Sequence, residues 1–480
     1  MEWSNGRRDA LVPSSSGGYR RVVCVVCVVC VVFDCDVVVV GAGASGLRAA
    51  DDLRRGGARV VVLEARDRVG GRTWSREQDG ARFDVGGQWL GPTQRRARAL
   101  AAELGLALFP THTAGAKLVE TDRVSRFRAP IPLLSVGNSV ALASALVRAR
   151  LARRRVDPAA PQATPDAAAL DARSLADWMD GFMRDPDARG LLTAATRVVF
   201  GADPAEISLL YFLFYLSAAG GLLPLIDVKG GAQQDRFVGG AQGLSLGLAA
   251  RLGDALRLGA PVERLVQDAA GVTVHVGGQV AVSVRTRRVV LALPPPLTAR
   301  IACEPAWPAA RASLVDAMPM GATTKCLAFY DRAFWRKAGL SGEAVSTRGP
   351  IAVTFDNTSA DGKVPCLVAF IVGGPARKLR RRAPDERRSE VLAALARLFG
   401  PVAAQPTAYI EQDWHDEPWS GGCPVAVFAP GRFAAAADTL RAPVGRIHFA
   451  GTETATEWAG YIEGALAAGE RVAREVLRVS

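Results

Sequence analysis

The segment "DVVVVGAGASGLRAADDLRRGGARVVVLEAR", residues 36–66, has the order of a strand, a glycine-rich turn, a helix and a second strand. Residues 36–40 are an acid followed by four valines, a run typical of a buried parallel strand. Apolar side chains then recur at helical spacing from Leu47 until the Gly56-Gly57 pair, which ends the helix. The pattern predicts a βαβ unit and therefore an α/β fold with a parallel sheet.

The glycines of the "GAGASG" turn, residues 41–46, predict a dinucleotide site. Gly41 permits the tight turn, Gly43 lets the backbone approach a pyrophosphate, and Gly46 lets helix and strand pack closely. Glu64 follows about 20 residues later, where an acid accepts hydrogen bonds from a ribose. Glycines alone would also fit a structural turn, but the complete order of strand, turn, helix, strand and acid favours a dinucleotide without a 2′-phosphate.

Composition narrows the remaining classes of protein. A chain of 480 residues, 49% hydrophobic, can form two or three domains, or two domains built from interleaved segments. The net charge of +12 is concentrated in runs at 148–155 and 377–388, which alternate with apolar residues and indicate solvated helix faces, so we predict no nucleic-acid partner. Four histidines without ligand spacing predict no metal site. Eight cysteines over this length do not indicate a disulfide framework and favour a reducing, cytoplasmic compartment.

The amino-terminal segment 1–35 is interpreted as a low-complexity extension. Cys24, Cys27, Cys30 and Cys35 have a spacing similar to an iron–sulfur motif, but valines separate them and no proline follows. The apolar run is also too short to cross a bilayer, and we predict no transmembrane anchor in the chain.

Three later motifs, together with the βαβ unit, carry a resemblance to a known family. "RDRVGGRTWS" (66–75) and "FDVGGQWLGPTQ" (83–94) follow the βαβ unit, and "HFAGTETATEWAGYIEGALAAGERVAREVL" (448–477) lies near the carboxyl end. From residue 36 onward the chain resembles the flavin-containing amine oxidases, the monoamine and polyamine oxidase superfamily. The resemblance implies FAD as the cofactor. It also implies that FAD contacts the following residues: Gly41, Gly43, Ser45, Gly46, Glu64, Arg66, Gly71, Arg72, Gly87, Gln88, Trp89, Val262, Trp414, Cys423, Gly451, Thr452, Gly460 and Ile462.

The resemblance also implies a fold of two interleaved domains. A Rossmann-like FAD-binding domain of the two-dinucleotide-binding-domain type would be assembled from 36–110, 236–300 and 417–480. An α+β substrate-binding domain would be assembled from 111–235 and 301–416.

Two residues are the expected catalytic pair. Lys325 lies in "TTKCLAFY", and the resemblance implies that it holds a water against flavin N5; an edge-strand lysine facing water is the alternative. Tyr461 lies in "WAGYIEG", where the resemblance implies an aromatic wall beside the substrate amine; a core aromatic is the alternative.

Cys423 ends "SGGC", residues 420–423, and the resemblance implies a bond from its sulfur to the 8α-methyl carbon of the flavin. An inert buried cysteine is the alternative. The next residue departs from the monoamine oxidase pattern, because Pro424 stands where a second aromatic ring is expected. Phe355, Phe428 or Trp419 could supply that ring, and Phe355 is predicted to contact substrate.

The resemblance implies oxidation of a primary amine by oxygen to an aldehyde, ammonia and hydrogen peroxide. An L-amino-acid oxidase, a polyamine or diamine oxidase, and a non-catalytic FAD-binding protein are the alternatives. The partners implied are a small amine and oxygen, with a homodimer left open.

Overall fold

The computed structural model describes residues 10–13, 19–22, 35–129, 131–132, 135–278 and 282–479. Most of the predicted extension, including Cys24, Cys27 and Cys30, lies outside the described residues. Its described part is an antiparallel pair, β1 (Ala10–Pro13) and β2 (Tyr19–Val22). Cys35 is buried and begins the first strand of the main fold.

A mixed eight-stranded sheet forms the core around the predicted βαβ unit. Its strands are β3 (Cys35–Val40), β4 (Val60–Leu63), β12 (Leu256–Arg257), β13 (Val262–Gln267), β14 (Val272–Val276), β15 (Val282–Leu291), β16 (Ala302–Glu304) and β22 (Ile447–Phe449). They follow the order β12-β4-β3-β15-β14-β13-β16, and β22 pairs with β15 in parallel. The valines of β3 are buried because parallel neighbours flank the strand and helices cover the sheet.

Four helices accompany this sheet: α1 (Ala44–Arg55), α2 (Arg95–Glu103), α9 (Gln242–Leu252) and α15 (Ile462–Arg478). Helix α1 packs against α9 and α15, so the end of the chain returns to its first βαβ unit. Five short strands connect this layer to the rest of the protein. They are the hairpin β5 (Ser75–Gln78) and β6 (Ala81–Asp84), and a sheet of β7 (Trp89–Leu90), β8 (Leu108–Pro110) and β11 (Asp235–Phe237).

A second mixed sheet has seven strands in the order β10-β9-β18-β19-β20-β17-β21. These are β9 (Ala116–Glu120), β10 (Val124–Phe127), β17 (Thr323–Phe329), β18 (Leu340–Ser346), β19 (Val353–Asp356), β20 (Cys366–Val372) and β21 (Ala408–Asp413). Helices α12 (Phe334–Lys337), α13 (Gly374–Leu379) and α14 (Pro384–Phe399) contribute to its hydrophobic core.

A helical layer forms the third part of the structure. It contains α3 (Val136–Arg153), α4 (Ala167–Ala172), α5 (Leu175–Asp180), α6 (Pro186–Phe200), α7 (Leu209–Ala218), α8 (Leu222–Ile226), α10 (Ala309–Ala312) and α11 (Leu314–Ala317). Helix α7, "LLYFLFYLSA", is apolar on all sides and lies buried at the centre of this layer.

The mixed α/β class predicted from the sequence is confirmed. The domain boundaries stay a prediction, and two features bear on where they should be drawn. Strand β16 extends the first sheet beyond residue 300, and apolar side chains of 425–440 pack in the core of the helical layer. In the described part of the chain, no helix combines the length and the apolar character needed to cross a membrane.

Candidate active site

A cavity of about 600 Å³ lies between the two large sheets and the helical layer. Side chains from segments that are far apart in sequence form its walls. Every predicted site residue except Gly46 lines it: Gly41, Gly43, Ser45, Glu64, Arg66, Gly71, Arg72, Gly87, Gln88, Trp89, Val262, Lys325, Phe355, Trp414, Cys423, Gly451, Thr452, Gly460, Tyr461 and Ile462. The fold thus gathers the predicted set at one place.

Gly46 lies behind the cavity wall. A Cβ added there would be 2.0 Å from the carbonyl oxygen of Gly41 and 3.0 Å from the Cβ of Ala292. Gly43 behaves differently, because an added Cβ would meet nothing within 4 Å and would project into open space. Gly46 is therefore required for helix packing, whereas Gly43 leaves room for a group in the cavity.

The first glycine turn and Glu64 form a cradle that fits the adenosine and pyrophosphate of FAD. The Oε2 atom of Glu64 accepts a 2.7 Å hydrogen bond from the amide of Ala42, and Oε1 accepts one of 3.0 Å from the amide of Arg66. These bonds fix a carboxylate that still lines the cavity. Elsewhere on the wall, Trp89 Nε1 and Gln233 Oε1 are buried without a hydrogen-bond partner, as expected of atoms that face a ligand.

Arg66 and Arg72 bind the loop that carries Cys423. Arg66 donates to Glu417 and to Ser420 Oγ, at 3.1 and 2.8 Å. Arg72 forms a bidentate pair with buried Glu453, at 2.6 and 3.0 Å, and also donates to the carbonyl of Pro424 at 2.8 Å. These arginines therefore hold the 417–424 loop against the glycine motifs.

Lys325 lies in the interior of the second sheet. Strand β17 is flanked by β20 and β21, and Lys325 is only 1% exposed, so it is not an edge-strand lysine facing water. Its Nζ donates to the carbonyl of Gly86 at 2.9 Å and to Oε1 of Gln88. Burial lowers the pKa of Lys325 to about 7, although the nearby negative charge of Asp84 opposes this change. Such a lysine changes its protonation near neutral pH.

Tyr461 precedes α15 and lines the cavity beside a second phenol, Tyr215 of α7. The two ring centroids are 6.4 Å apart, and the hydroxyl of Tyr461 donates to the carbonyl of Leu225 at 3.3 Å. Gly460 is required here because its φ is 82° and an added Cβ would be 2.0 Å from the hydroxyl oxygen of Tyr215. Burial raises the pKa of Tyr461 well above its usual range, so its hydroxyl stays protonated.

A second group of rings lies near Lys325. Trp89 contacts Phe355 and Phe370 with centroid distances of 5.0 and 5.6 Å, and all three residues line the cavity. Phe428 does not lie there: it is buried against Tyr211 in the helical layer, so it cannot supply the second ring. Trp419 does line the cavity.

Cys423 is half-buried on the cavity wall, and its backbone is fixed on both sides. Its amide donates to Gly321 at 2.9 Å, and its carbonyl accepts from Thr323 Oγ1 at 2.8 Å. Burial raises the pKa of the thiol to about 11, even though the positive charges of Arg72 and Lys325 act to lower it. Trp414 packs nearby under the second glycine motif and donates to the carbonyl of Val85 at 2.8 Å.

Sequence reasoning missed several residues of this wall. The principal ones are Val198, Val199, Tyr215, Leu225, Gln233 and Phe370. Sequence reasoning also missed Glu453, a buried residue behind this wall that binds Arg72. Most belong to helices or strands whose apolar pattern indicates core, and the pattern does not distinguish a core face from a cavity face. Glu453 carried a usable signal, because an acid in the apolar "FAGTETA" segment needs a buried partner.

Comparison with known proteins agrees with this geometry. Residues 44–477 match the family model described as flavin containing amine oxidoreductase. Amine oxidase [flavin-containing] B of Canis lupus familiaris is 38% identical over 92% of this chain and 86% of its own. Cyclohexylamine oxidase from Brevibacterium oxydans superposes with a TM-score of 0.88 and 35% identity, over 93% of this chain and 99% of its own.

A second solved structure, wild-type putrescine oxidase bound to putrescine, has a TM-score of 0.89 and 32% identity. It covers 93% of this chain and 100% of its own. The match extends over nearly all of both chains. The chain therefore belongs to the flavin-containing amine oxidoreductase family, whose members use FAD to oxidise amines.

Proposed function

We propose that this enzyme converts a primary amine, oxygen and water to an aldehyde, ammonia and hydrogen peroxide, and that it prefers monoamines with an apolar substituent. FAD would supply the two-electron oxidation when bound. The glycine turn, Glu64, Val262 and Thr452 would hold the cofactor, and the aromatic walls would orient the substrate.

The observation that carries this proposal is Lys325. Burying a lysine side chain in a strand that is paired on both sides costs free energy. A neutral side chain could donate both of its hydrogen bonds, so these bonds do not explain the lysine. Its pKa of about 7 and its place on the cavity wall support a role in the reaction, where it would hold water at the cofactor. A role in packing alone would be served better by an apolar side chain.

The chemistry of the cavity wall supports the choice of substrate. Among the described residues that line the cavity, the carboxylates are Glu64 and Glu263, and both lie beside strands β4 and β13 at the adenosine end. The other end is formed by aromatic and aliphatic side chains, including Tyr215, Leu225 and Phe370. A diamine would leave its second ammonium group without a carboxylate there. An amino-acid carboxylate would have to compete for Arg66 and Arg72, which already pair with Glu417 and Glu453.

A substrate panel tests the proposal. We expect a six-carbon apolar monoamine to reduce the flavin under anaerobic conditions and to release peroxide in air. The corresponding α,ω-diamine should have a kcat/KM about 10- to 100-fold lower, because its distal ammonium must lose hydration or a proton. The α-amino acid of the same chain length is the second comparison. Failure of every amine to reduce the flavin would contradict amine oxidation, and equal use of the diamine would contradict the apolar preference alone.

We also propose that Cys423 binds FAD covalently. A thioether would replace the S–H bond and one C–H bond of the 8α-methyl group, and the two electrons and two protons would pass to oxygen as hydrogen peroxide. The position of the thiol on the cavity wall and the fixed backbone on both sides support this bond. Because the pKa of the thiol is about 11, attachment should become faster as the pH rises above neutral, where more thiolate is present.

Acid denaturation measures the bond directly. In the wild type the yellow colour should precipitate with the protein, and a peptide containing Cys423 should carry the mass of FAD. In Cys423→Ser all the flavin should be released, while amine oxidation persists. Cys326→Ser is the matched control, because Cys326 is buried in β17 and does not line the cavity. Release of all flavin from the wild type would contradict the covalent bond and leave the proposed activity standing.

The cytoplasmic location and the homodimer remain proposals. The reducing compartment is supported by Cys303, Cys326, Cys366 and Cys423, which form no disulfide in the described residues. Light scattering of the purified enzyme measures the assembly.

A further inference from the structure

The exposed face of α3 is apolar, which is unusual for a surface helix. Val136, Val140, Val147 and Leu151 are 83%, 63%, 56% and 57% exposed. Their spacings of four, seven and four residues place them on one side of the helix within about 60°, since each residue turns the helix by about 100°. The opposite side of the helix is buried and carries Leu142, Ala145 and Ala149 together with one polar residue, Asn138. Within the described part of the chain, only this opposite side of α3 is covered, and the apolar stripe on the other side is exposed.

Arginines border this apolar stripe. Arg148 and Arg150 flank it, and Arg154 and Arg155 lie at its end; all four are exposed. The segment from residue 135 to 155 contains no aspartate or glutamate. In the described residues, Arg155 pairs loosely with exposed Asp166 at 3.7 Å, and neither Arg150 nor Arg154 has a carboxylate partner. The stripe is therefore bordered by positive charge that the described residues leave largely without carboxylate partners.

The buried side of α3 packs against other helices of the helical layer. It packs against α6, α7 and α8, which carry Val198, Tyr215 and Leu225 on the cavity wall. The guanidinium of Arg148 lies 4.8 Å from the ring centre of Phe182, which fixes its aliphatic stem beside the stripe. An apolar surface that is already helical, with basic residues at its edges, can bind without first folding.

We propose that α3 docks this enzyme reversibly on an anionic lipid surface, with the apolar stripe in the headgroup region and the arginines on lipid phosphates. The arginines beside the stripe favour an anionic lipid surface over other partners. A second copy of the chain would bring two arginine clusters together, and a neutral apolar partner would leave them without counter-charges. Basic edges around an apolar helical stripe match an anionic bilayer, where each basic residue near the surface adds about a fivefold gain in binding.

Flotation with lipid vesicles tests the proposal with the full-length, FAD-loaded enzyme. Vesicles would contain phosphatidylcholine alone or with about 30 mol% phosphatidylserine. We expect binding to the mixed vesicles, with a clear loss when the salt rises from about 0.1 M to about 0.5 M. Arg150→Gln/Arg154→Gln should weaken binding about 25-fold, and Val140→Ser/Val147→Ser/Leu151→Ser at least about tenfold.

Two control variants carry the same kinds of substitution at exposed positions outside α3. Val124→Ser/Leu246→Ser/Val402→Ser removes three exposed apolar side chains, and Arg381→Gln/Arg388→Gln removes two exposed charges from the other basic run. Both should bind vesicles like the wild type. Flavin content and oxidation of a soluble amine should be unchanged in all four variants, which shows that they fold.

Several outcomes would overturn the proposal. These are absence of wild-type binding, equal binding to neutral and anionic vesicles, or equal loss in the control variants. A change of oligomeric state in the α3 variants without vesicles would also overturn it, since it would identify the stripe as a subunit interface. None of these results depends on which amine the enzyme oxidises.

Discussion

Replacing Lys325 with methionine is expected to slow reoxidation of the reduced enzyme by oxygen about 100- to 1000-fold, the range found when one preorganised donor is removed from an active site. Nζ already donates to Gly86 and Gln88. Its third N–H, or its lone pair when the amine is neutral, can still bind a water in the cavity. Methionine fills the same volume without this function. Reduction by amine should change less than about tenfold, because it depends on orienting the substrate rather than on this water.

Stopped-flow absorbance measures the two half-reactions separately, first with amine under anaerobic conditions and then with oxygen. Thr324→Val is the matched control, since Thr324 is the neighbouring buried residue of β17. It should leave reoxidation nearly unchanged. Equal losses in both half-reactions of Lys325→Met, or no loss in either, would contradict a role of Lys325 in the oxygen step.

Gly46→Ala should prevent stable folding of the cofactor site. The added Cβ would lie 2.0 Å from the carbonyl oxygen of Gly41, so either α1 or the glycine turn must move. We expect a loss of about 3 kcal/mol or more in the free energy of unfolding, together with loss of retained FAD. Urea unfolding and the flavin content of the purified protein measure the two effects.

Gly43→Ala is the informative comparison, because its added Cβ would enter open cavity and meet no protein atom within 4 Å. This variant should keep its stability in the absence of FAD and bind FAD more weakly. If both variants lost stability equally, the separation of Gly46 as a packing residue from Gly43 as a cofactor residue would be wrong.

The sequence was most informative where a local motif has a local cause. The strand–glycine–helix–strand segment could be located from its spacing alone, because the turn, the helix and the packing of Gly46 on the carbonyl of Gly41 all arise within a few residues of one another. The burial of Lys325 could not be read in this way. An edge strand and a central strand have the same sequence pattern, and only the pairing of β17 with β20 and β21 distinguishes them.

Residues contributed by distant elements were the hardest to find. Tyr215 lies in an apolar helix and reaches the site only because α7 packs across Gly460. Phe428 is close to Cys423 in sequence, but the 425–440 segment turns into the helical layer and takes this ring away from the cavity. Proximity along the chain was a poor guide there, since the loop leaves the cavity within a few residues.

The pairing of β22 with β15 has a consequence for biosynthesis. Strand β22, Gly451, Thr452 and Tyr461 are synthesised about 400 residues after Gly41, yet β22 joins the first sheet and the three residues line the same cavity as Gly41. A nascent chain can form its βαβ unit early, but the cofactor cavity is not complete until these later residues have been made. FAD can therefore bind the complete site only after this segment has folded onto the first sheet.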